Sequence, residues 1–125
     1  MQPDQSIFTI DNNYQRFAYE LPIEETFRRT VSVFHDSGYR LDVADRATGQ
    51  ISGRRGPTGD KGLSAIADLK VYAVVLPRGR GSELGLKIVQ VMKSGPLNSS
   101  KAEITVNDKQ LYQFTFQRIA NLETE

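Results

Sequence analysis

Residues 22–55 constrain the fold of this chain most strongly, because the spacing of their apolar residues changes at Gly38. Before that glycine, Ile23, Phe27 and Phe34 recur at intervals that place them on one face of a helix. After it, apolar and polar residues alternate with the two-residue period of a β-strand. This change of period predicts a helix that packs against a sheet.

The limits of the helix follow from its end residues. Pro22 suits a first helical turn because its missing N–H is not needed there, and the two glutamates that follow are favoured by the helix dipole. Gly38 can adopt the left-handed conformation that closes many helices. We therefore predict a helix over residues 22–37, preceded by a strand over Tyr14–Leu21.

Further strands follow the helix, separated by turn-rich segments. In the first of them, Leu41 and Val43 alternate with their neighbours and are expected to face the helix. Asp42 and Asp45 are three residues apart, so we expect them on opposite faces, with Asp45 stabilising the next turn rather than forming a carboxylate pair. The predicted strands are Tyr39–Arg46, Gln50–Arg55, Ile66–Leu76, Leu84–Lys93 and a short strand at Ala102–Val106.

Residues 107–122 fit either a strand or a helix. Tyr112, Phe114 and Phe116 alternate with polar residues as a strand would. A helix is favoured because Asn107 is a good N-cap with Gln110 three residues on, although Phe114 is then the one residue that does not fit the apolar side. The strand stays open as the alternative.

These elements predict a two-layer α+β fold. Its antiparallel sheet has about four to five strands, with a long N-terminal helix and a C-terminal helix packed on it, in the order β-α-β-β-β-β-α. We expect residues 14–125 to form a single domain and residues 1–13 to form a loosely ordered arm. A chain of 125 residues is long enough to bury roughly two-thirds of its unfolded surface.

No catalytic or metal-binding pattern is present in the sequence. Cysteine is absent, and His35 is the one histidine, so thiolate chemistry and a histidine-based metal site are excluded. The segments 56–62 and 79–85 are rich in glycine but lack the spacing of phosphate-binding loops, and we interpret them as hairpin loops. We therefore expect a protein that is not an enzyme and has no catalytic residues, cofactor or metal.

The charge distribution is uneven along the chain. Residues 46–101 hold ten Lys and Arg against three Asp and Glu, whereas the remainder holds six basic and twelve acidic residues. If the strands form successive hairpins, the basic residues gather at the two ends of the sheet. One end is expected to carry Arg46, Arg78 and Arg80, and the other Arg54, Arg55, Lys61, Lys93 and Lys101.

The segment that starts Gly38-Tyr-Arg-Leu-Asp-Val, together with Asn107-Asp-Lys-Gln-Leu-Tyr, resembles small bacterial envelope lipoprotein domains, including the BamC-like helix-grip domains. The lipidated cysteine of a lipoprotein is not found in this sequence. The resemblance implies a role in protein binding or assembly in the periplasm or at the inner face of the outer membrane, with a cytoplasmic location as the alternative. No apolar run approaches the ~18 residues of a membrane span, so we expect membrane contact only through a removed lipid anchor.

The sequence therefore predicts a protein-binding module that engages an acidic partner surface through its basic hairpin loops. Arginine forks pair well with carboxylates and phosphates. The alternative is a cytoplasmic nucleic-acid-binding domain that contacts phosphates with the same arginines, and the oligomeric state stays open. The candidate partner-binding residues are Arg54, Arg55, Lys61, Arg78 and Arg80.

Overall fold

The computed structural model describes residues 14–56 and 68–122. Those residues form two α-helices and six β-strands. In chain order the elements are β1 (Gln15–Tyr19), α1 (Ile23–Asp36), β2 (Arg40–Asp45), β3 (Gln50–Arg55), β4 (Asp68–Arg78), β5 (Gly81–Ser94), a 3₁₀ turn (Pro96–Asn98), β6 (Ser100–Thr105) and α2 (Lys109–Asn121).

The α+β class and the antiparallel sheet are confirmed. The predicted number of strands is wrong, because the sheet has six strands rather than four to five. The predicted order is also wrong, because five strands rather than four lie between the two helices in the chain. The difference in number comes from β6, which was predicted as a short strand at Ala102–Val106 but was not counted in the predicted order, and which pairs with β5 along its whole length from Ser100 to Thr105. The predicted arm 1–13 and Lys61 lie outside the described residues.

The sheet is built around the long strand β5. The strand order is β1-β5-β4-β3-β2, and every neighbouring pair is antiparallel. The first part of β5 pairs with β1, where Tyr19 lies opposite Ser82, and its last part pairs with β6, where Lys93 lies opposite Lys101. One edge of β5 is thus shared by two strands.

Both helices pack on one face of the sheet, here called the helix face. Its buried strand residues include Leu69, Val71, Leu84, Leu86 and Ile88, and they form one apolar cluster with residues of both helices. Phe34 of α1 and Phe116 of α2 are almost fully buried in that cluster. Burial of one such side chain stabilises the fold by about 1.5–3 kcal/mol.

A short chain of buried polar groups also fixes α1 to the sheet. The hydroxyl oxygens of Thr26 and Ser82 lie 2.6 Å apart, and the Ser82 hydroxyl donates to the carbonyl oxygen of Leu21 at 2.8 Å. Thr26 and Ser82 are fully buried. Since a buried hydroxyl is costly without partners, these bonds fix how α1 sits on β5.

The end of α1 has the predicted glycine closure. Gly38 has a φ of 93°, its N–H donates to the carbonyl of His35, and the next N–H, of Tyr39, donates to the carbonyl of Phe34. These two bonds form a Schellman motif, which satisfies carbonyls that the helix leaves free. The helix predicted over residues 22–37 is confirmed to within one residue at each end.

The C-terminal segment is a helix, and the strand alternative is wrong. The predicted cap is also wrong, because Asp108 rather than Asn107 accepts a hydrogen bond from the N–H of Gln110, at 3.0 Å. The buried hydroxyl of Tyr112 accepts from the N–H of Ile88 and donates to the carbonyl of Val106. Burial raises the pKa of Tyr112.

A β-bulge in β2 changes the faces that its side chains occupy. The register shifts between Leu41 and Val43, so that Val43 pairs with Ser52 and Asp45 with Gln50, on the side away from the helices. Leu41 packs against the apolar cluster as predicted, but the expectation for Val43 is wrong because the extra residue reverses the alternation.

The same bulge corrects the expectation that Asp42 and Asp45 occupy opposite faces. Asp42 lies on the side of the sheet away from the helices, where its carboxylate is 3.8 Å from the Arg54 guanidinium. Asp45 lies on that same side. The turn role predicted for Asp45 is confirmed, because its carboxylate accepts a hydrogen bond from the N–H of Ala47 at 2.9 Å.

Candidate functional site

The predicted basic residues lie at two opposite ends of the sheet. Arg54 pairs with Lys70 near the start of β4, whereas Arg78 ends that strand. Eight residues of extended chain separate Lys70 from Arg78, which corresponds to about 26 Å. The described arginines of the candidate set therefore form two separate surfaces rather than one compact site.

The β4–β5 hairpin carries one of these surfaces. The Arg78 guanidinium lies 3.7 Å from the Glu83 carboxylate and is 63% exposed, and Arg80 is exposed at the hairpin tip. An exposed ion pair of this kind contributes little to stability. The hairpin tip therefore presents solvated cations that attract anions over a distance.

Arg54 and Arg55 are neighbours in β3 but point to opposite faces of the sheet. The Arg54 side chain is 64% exposed and lies on the face away from the helices, here called the second face. Arg55 turns toward the helices, where its Nη1 donates to the Ser37 carbonyl oxygen at 2.5 Å and its guanidinium lies over the Tyr39 ring at 5.1 Å. Arg55 thus fastens the end of α1 to the sheet.

Tyr39 shows how buried this junction is. Burial raises the pKa of Tyr39, and the nearby positive charge of Arg55 opposes that rise in part. The Tyr39 and Phe34 rings are also in contact, with centroids 5.7 Å apart. Arg55 therefore contributes to packing as well as to helix capping.

Four cationic side chains on the second face surround a cavity of about 380 Å³, here called the basic pocket. They are Arg40, Arg54, Lys70 and Lys101. The pairing of Arg40 with Arg54, and of Arg54 with Lys70, brings three of them side by side on adjacent strands. Its other lining residues are Arg55, Gly56, Asp68, Leu69, Val91 and Glu103.

One carboxylate in the pocket is held by a specific cluster. Glu103 lies 3.5 Å from the Lys70 ammonium and accepts a hydrogen bond from the Tyr72 hydroxyl at 3.1 Å. Contact with Tyr72 and the nearby Glu103 carboxylate raise the pKa of Lys70, so this lysine stays charged. Cationic side chains thus outnumber acidic ones in the pocket.

Aromatic rings and lysines alternate along the second face next to the pocket. The Lys87 ammonium lies 5.2 Å from the centroids of both the Tyr14 and Tyr72 rings, and the Lys70 ammonium lies 5.0 Å from that of Tyr72. Such contacts are attractive because the ring faces are electron-rich. This row, Tyr14-Lys87-Tyr72-Lys70, extends the positive surface across β4 and β5 to the residue that precedes β1.

Sequence reasoning found Arg54 but missed Arg40 and Lys70 as partners of the same site. Their proximity depends on strand register, and the β3–β4 pairing is set across a long connection that no local pattern fixes. The short turn between β2 and β3 fixes Asp45 opposite Gln50, but the pairing of Arg40 with Arg54 also depends on the register shift of the bulge in β2, which no local pattern signals. Lys101 was correctly placed at this end of the sheet.

The described residues show two further properties that bear on function. Among them, no three His, Asp or Glu side chains cluster in a way that could hold a metal ion. Neither described helix has the length and apolar content that a bilayer crossing requires. Comparison with known proteins gives no match, either to a protein-family model or to a curated protein sequence.

Proposed function

We propose that this chain is a non-enzymatic protein-binding or assembly module that takes an acidic segment of a partner protein into the basic pocket. The observation that carries this proposal is the grouping of Arg40, Arg54, Lys70 and Lys101 around one open cavity. A concave surface on which one sign of charge predominates raises the local concentration of an oppositely charged partner.

The cations of the pocket are available to such a partner to different degrees. Arg40 and Lys101 have no carboxylate within 4.0 Å among the residues that the structure describes. The Arg54–Asp42 pair is long, at 3.8 Å, and largely exposed, so a partner carboxylate can replace Asp42 at little cost. Arg40, Arg54 and Lys101 therefore bind the acidic segment, and Lys70 stays with Glu103.

The predicted partner-binding set is narrowed in this proposal. Arg54 is kept, whereas Arg55 serves the junction between α1 and the sheet. Arg78 and Arg80 lie at the far end of the sheet and attract the partner without entering the pocket. Lys61 lies outside the described residues and remains a predicted contact.

The location that we propose is the bacterial cell envelope, in the periplasm or at the inner face of the outer membrane. It rests on the sequence resemblance to BamC-like envelope domains. Membrane contact would come from a lipid anchor outside this sequence. This part of the proposal is tested by fractionating cells that express the complete gene product.

A nucleic-acid-binding role is the second candidate, and the row Tyr14-Lys87-Tyr72-Lys70 favours it. The Tyr72 ring could stack a base and the two lysines could contact phosphates of a single strand, whereas Tyr14 is only 7% exposed and is closed to stacking. Against it, Glu103 stands beside the row and binds the Tyr72 hydroxyl, which disfavours phosphates there. The acidic-peptide role is therefore preferred.

The two roles are separated by fluorescence anisotropy with three labelled probes at several salt concentrations. The probes are a short Asp/Glu-rich peptide, the same peptide with Asn/Gln, and a single-stranded oligonucleotide. We expect the acidic peptide to bind and the neutral peptide not to bind. Tighter binding of the oligonucleotide, with a steep loss of affinity as salt rises, would favour the second role.

Two double variants with equal charge loss locate the binding surface. Arg54→Gln with Lys101→Gln should weaken acidic-peptide binding about 10-fold, because both cations line the pocket. Arg78→Gln with Arg80→Gln should weaken it less than about 2-fold, because those residues lie at the other end of the sheet. Equal losses in the two double variants would contradict the proposed pocket.

A further inference from the structure

A second cavity, of about 300 Å³, lies on the other side of the sheet, where the end of α1 meets α2. Its lining includes the buried apolar side chains of Phe34, Val71 and Ile88 and the partly exposed side chains of Leu111 and Phe114. Arg55 and Arg118 also line it, and we call it the twin-arginine cavity. Its volume is at the lower end of the range for small-molecule sites.

The two arginines are held side by side by one residue. Arg55 Nη1 donates to the Ser37 carbonyl oxygen, and Arg118 Nη1 donates to the Ser37 hydroxyl at 2.7 Å. Neither guanidinium has a carboxylate within 4.0 Å among the described residues. Two like charges held this close are stabilised by an anion between them.

A polar atom at this site also lacks a hydrogen-bond acceptor. The Arg55 Nε is buried and makes no hydrogen bond to any of the residues that the structure describes. Buried polar groups are nearly always paired, so the Arg55 guanidinium is held with one of its donors unused. Because the Nε is closed to solvent, a ligand in the twin-arginine cavity would bind Arg55 through its terminal Nη atoms.

Phe114 provides the apolar part of the site. It is the residue of α2 that does not fit the helical pattern, and its side chain is 62% exposed rather than in the core. Its ring lies 5.8 Å from the Arg118 guanidinium and lines the cavity. A large exposed ring next to an unpaired cation suits a ligand with both an apolar body and a negative end.

Capping of α1 explains part of this arrangement, since cations are favoured at a helix C-terminus. It accounts for the bond from Arg55 to the Ser37 carbonyl. It does not account for the second arginine on the Ser37 hydroxyl or for the exposed Phe114. Those two observations share the cavity as their common feature.

We propose that the twin-arginine cavity binds a small aromatic monocarboxylate. The carboxylate accepts hydrogen bonds from Arg55 and Arg118, and the ring packs against the accessible side chains of Phe114 and Leu111. Asp36 also lines the cavity and disfavours ligands with a second negative charge, such as phosphate. Arg55 lines both cavities, but Arg40, Arg54 and Lys101, the cations to which the acidic segment is assigned, do not line this one, so the proposal does not depend on the function proposed for the basic pocket.

The test is an NMR titration of the ¹⁵N-labelled protein with 3-phenylpropionate, using 3-phenylpropanol and inorganic phosphate as matched probes. We expect the carboxylate alone to shift the amide signals of Ser37 and Phe114. Arg118→Gln should weaken binding at least 10-fold, and Phe114→Ala several-fold. Arg16→Gln, at an exposed position of β1, should leave the Kd within 2-fold.

Three results would overturn the proposal: equal binding of the alcohol, binding of phosphate as tight as that of the carboxylate, or an unchanged Kd for Arg118→Gln. Phe114→Ala serves as a control for misfolding, because the Phe114 side chain is outside the core. Its removal should not lower the Tm. A loss of binding in a fully folded Phe114→Ala protein therefore reports on the cavity itself.

Discussion

The two faces of the sheet use the same residue types for different purposes. On the helix face, Tyr112 and Arg55 are bound to backbone groups of neighbouring elements and hold the helices in place. On the second face, Tyr72 and Arg54 contact the charged side chains of Glu103 and Asp42. The comparison teaches that basic residues of the helix face are held by backbone groups of neighbouring elements, whereas those of the second face are held only by exposed side chains and exchange partners more easily.

The largest expected effect comes from two phenylalanines that differ in burial. Phe34→Ala removes a ring that is 1% exposed and should lower the free energy of unfolding by about 3–5 kcal/mol. Phe114→Ala removes a ring that is 62% exposed and should change it by less than about 0.5 kcal/mol. Urea denaturation measures both, and similar losses for the two variants would break the proposed layering.

A smaller effect is expected from the buried hydroxyls of the helix face. Ser82→Ala should lower the free energy of unfolding by about 1–3 kcal/mol, because Thr26 and the Leu21 carbonyl each lose a partner. The double variant with Thr26→Val should lose less than the sum of the two single losses. Strict additivity in this double-mutant cycle would show that the two hydroxyls do not act together.

Alkaline pH should weaken the helix face in particular. Burial raises the pKa of Tyr19, Tyr39 and Tyr112 above the ordinary value of 10.0, so the folded protein keeps these protons more tightly than the unfolded chain. Their contribution to stability is complete below about pH 10 and is lost as the pH rises toward their folded pKa values. Each proton released on unfolding lowers stability by about 1.4 kcal/mol per pH unit.

Urea unfolding at a series of pH values, with tyrosinate absorbance followed in parallel, checks this expectation. The free energy of unfolding should be level up to about pH 10 and then fall, and part of the tyrosinate signal should appear only with unfolding. Stability that stays level well above pH 10 would contradict the burial of these hydroxyls.

The smallest effect is expected on the second face. Glu103→Gln breaks a partly exposed ion pair with Lys70 and should change the free energy of unfolding by less than about 1 kcal/mol. The same change removes a negative charge from the basic pocket and should tighten acidic-peptide binding about 2-fold to 3-fold. Weaker peptide binding in this variant would argue that the pocket does not take the acidic segment.

Much of the fold could be predicted because its local signals agree with each other. The apolar stripe of α1, the closure at Gly38 and the alternation in β3 all predicted elements that the structure contains. The bulge in β2 could not be predicted, because one inserted residue leaves the pattern of Leu41 and Val43 unchanged while reversing their faces.

The candidate site was harder to predict than the fold. Alternation along β3 already implied that Arg54 and Arg55 point to opposite faces, although both were assigned to one binding surface. Lys70 reaches the basic pocket because it lies opposite Arg54 in the pairing of β3 with β4. That register is set by contacts between distant parts of the chain, so the sequence does not reveal it. The exposure of Phe114 could be expected, because this residue does not fit the apolar side of α2. Its position beside Arg118 could be seen only in the structure.

The most direct test of the account compares Arg54→Gln with Arg55→Gln, two adjacent substitutions that remove the same charge. Urea denaturation and acidic-peptide binding are measured on both proteins. Arg54→Gln should weaken peptide binding about 5-fold with little change in stability, because its side chain is exposed at the pocket. Arg55→Gln should lower the free energy of unfolding by about 1–2 kcal/mol, through its lost bond to Ser37, with less than 2-fold change in binding. The opposite pattern, or identical effects of the two changes, would contradict the division of the sheet into a structural face and a binding face.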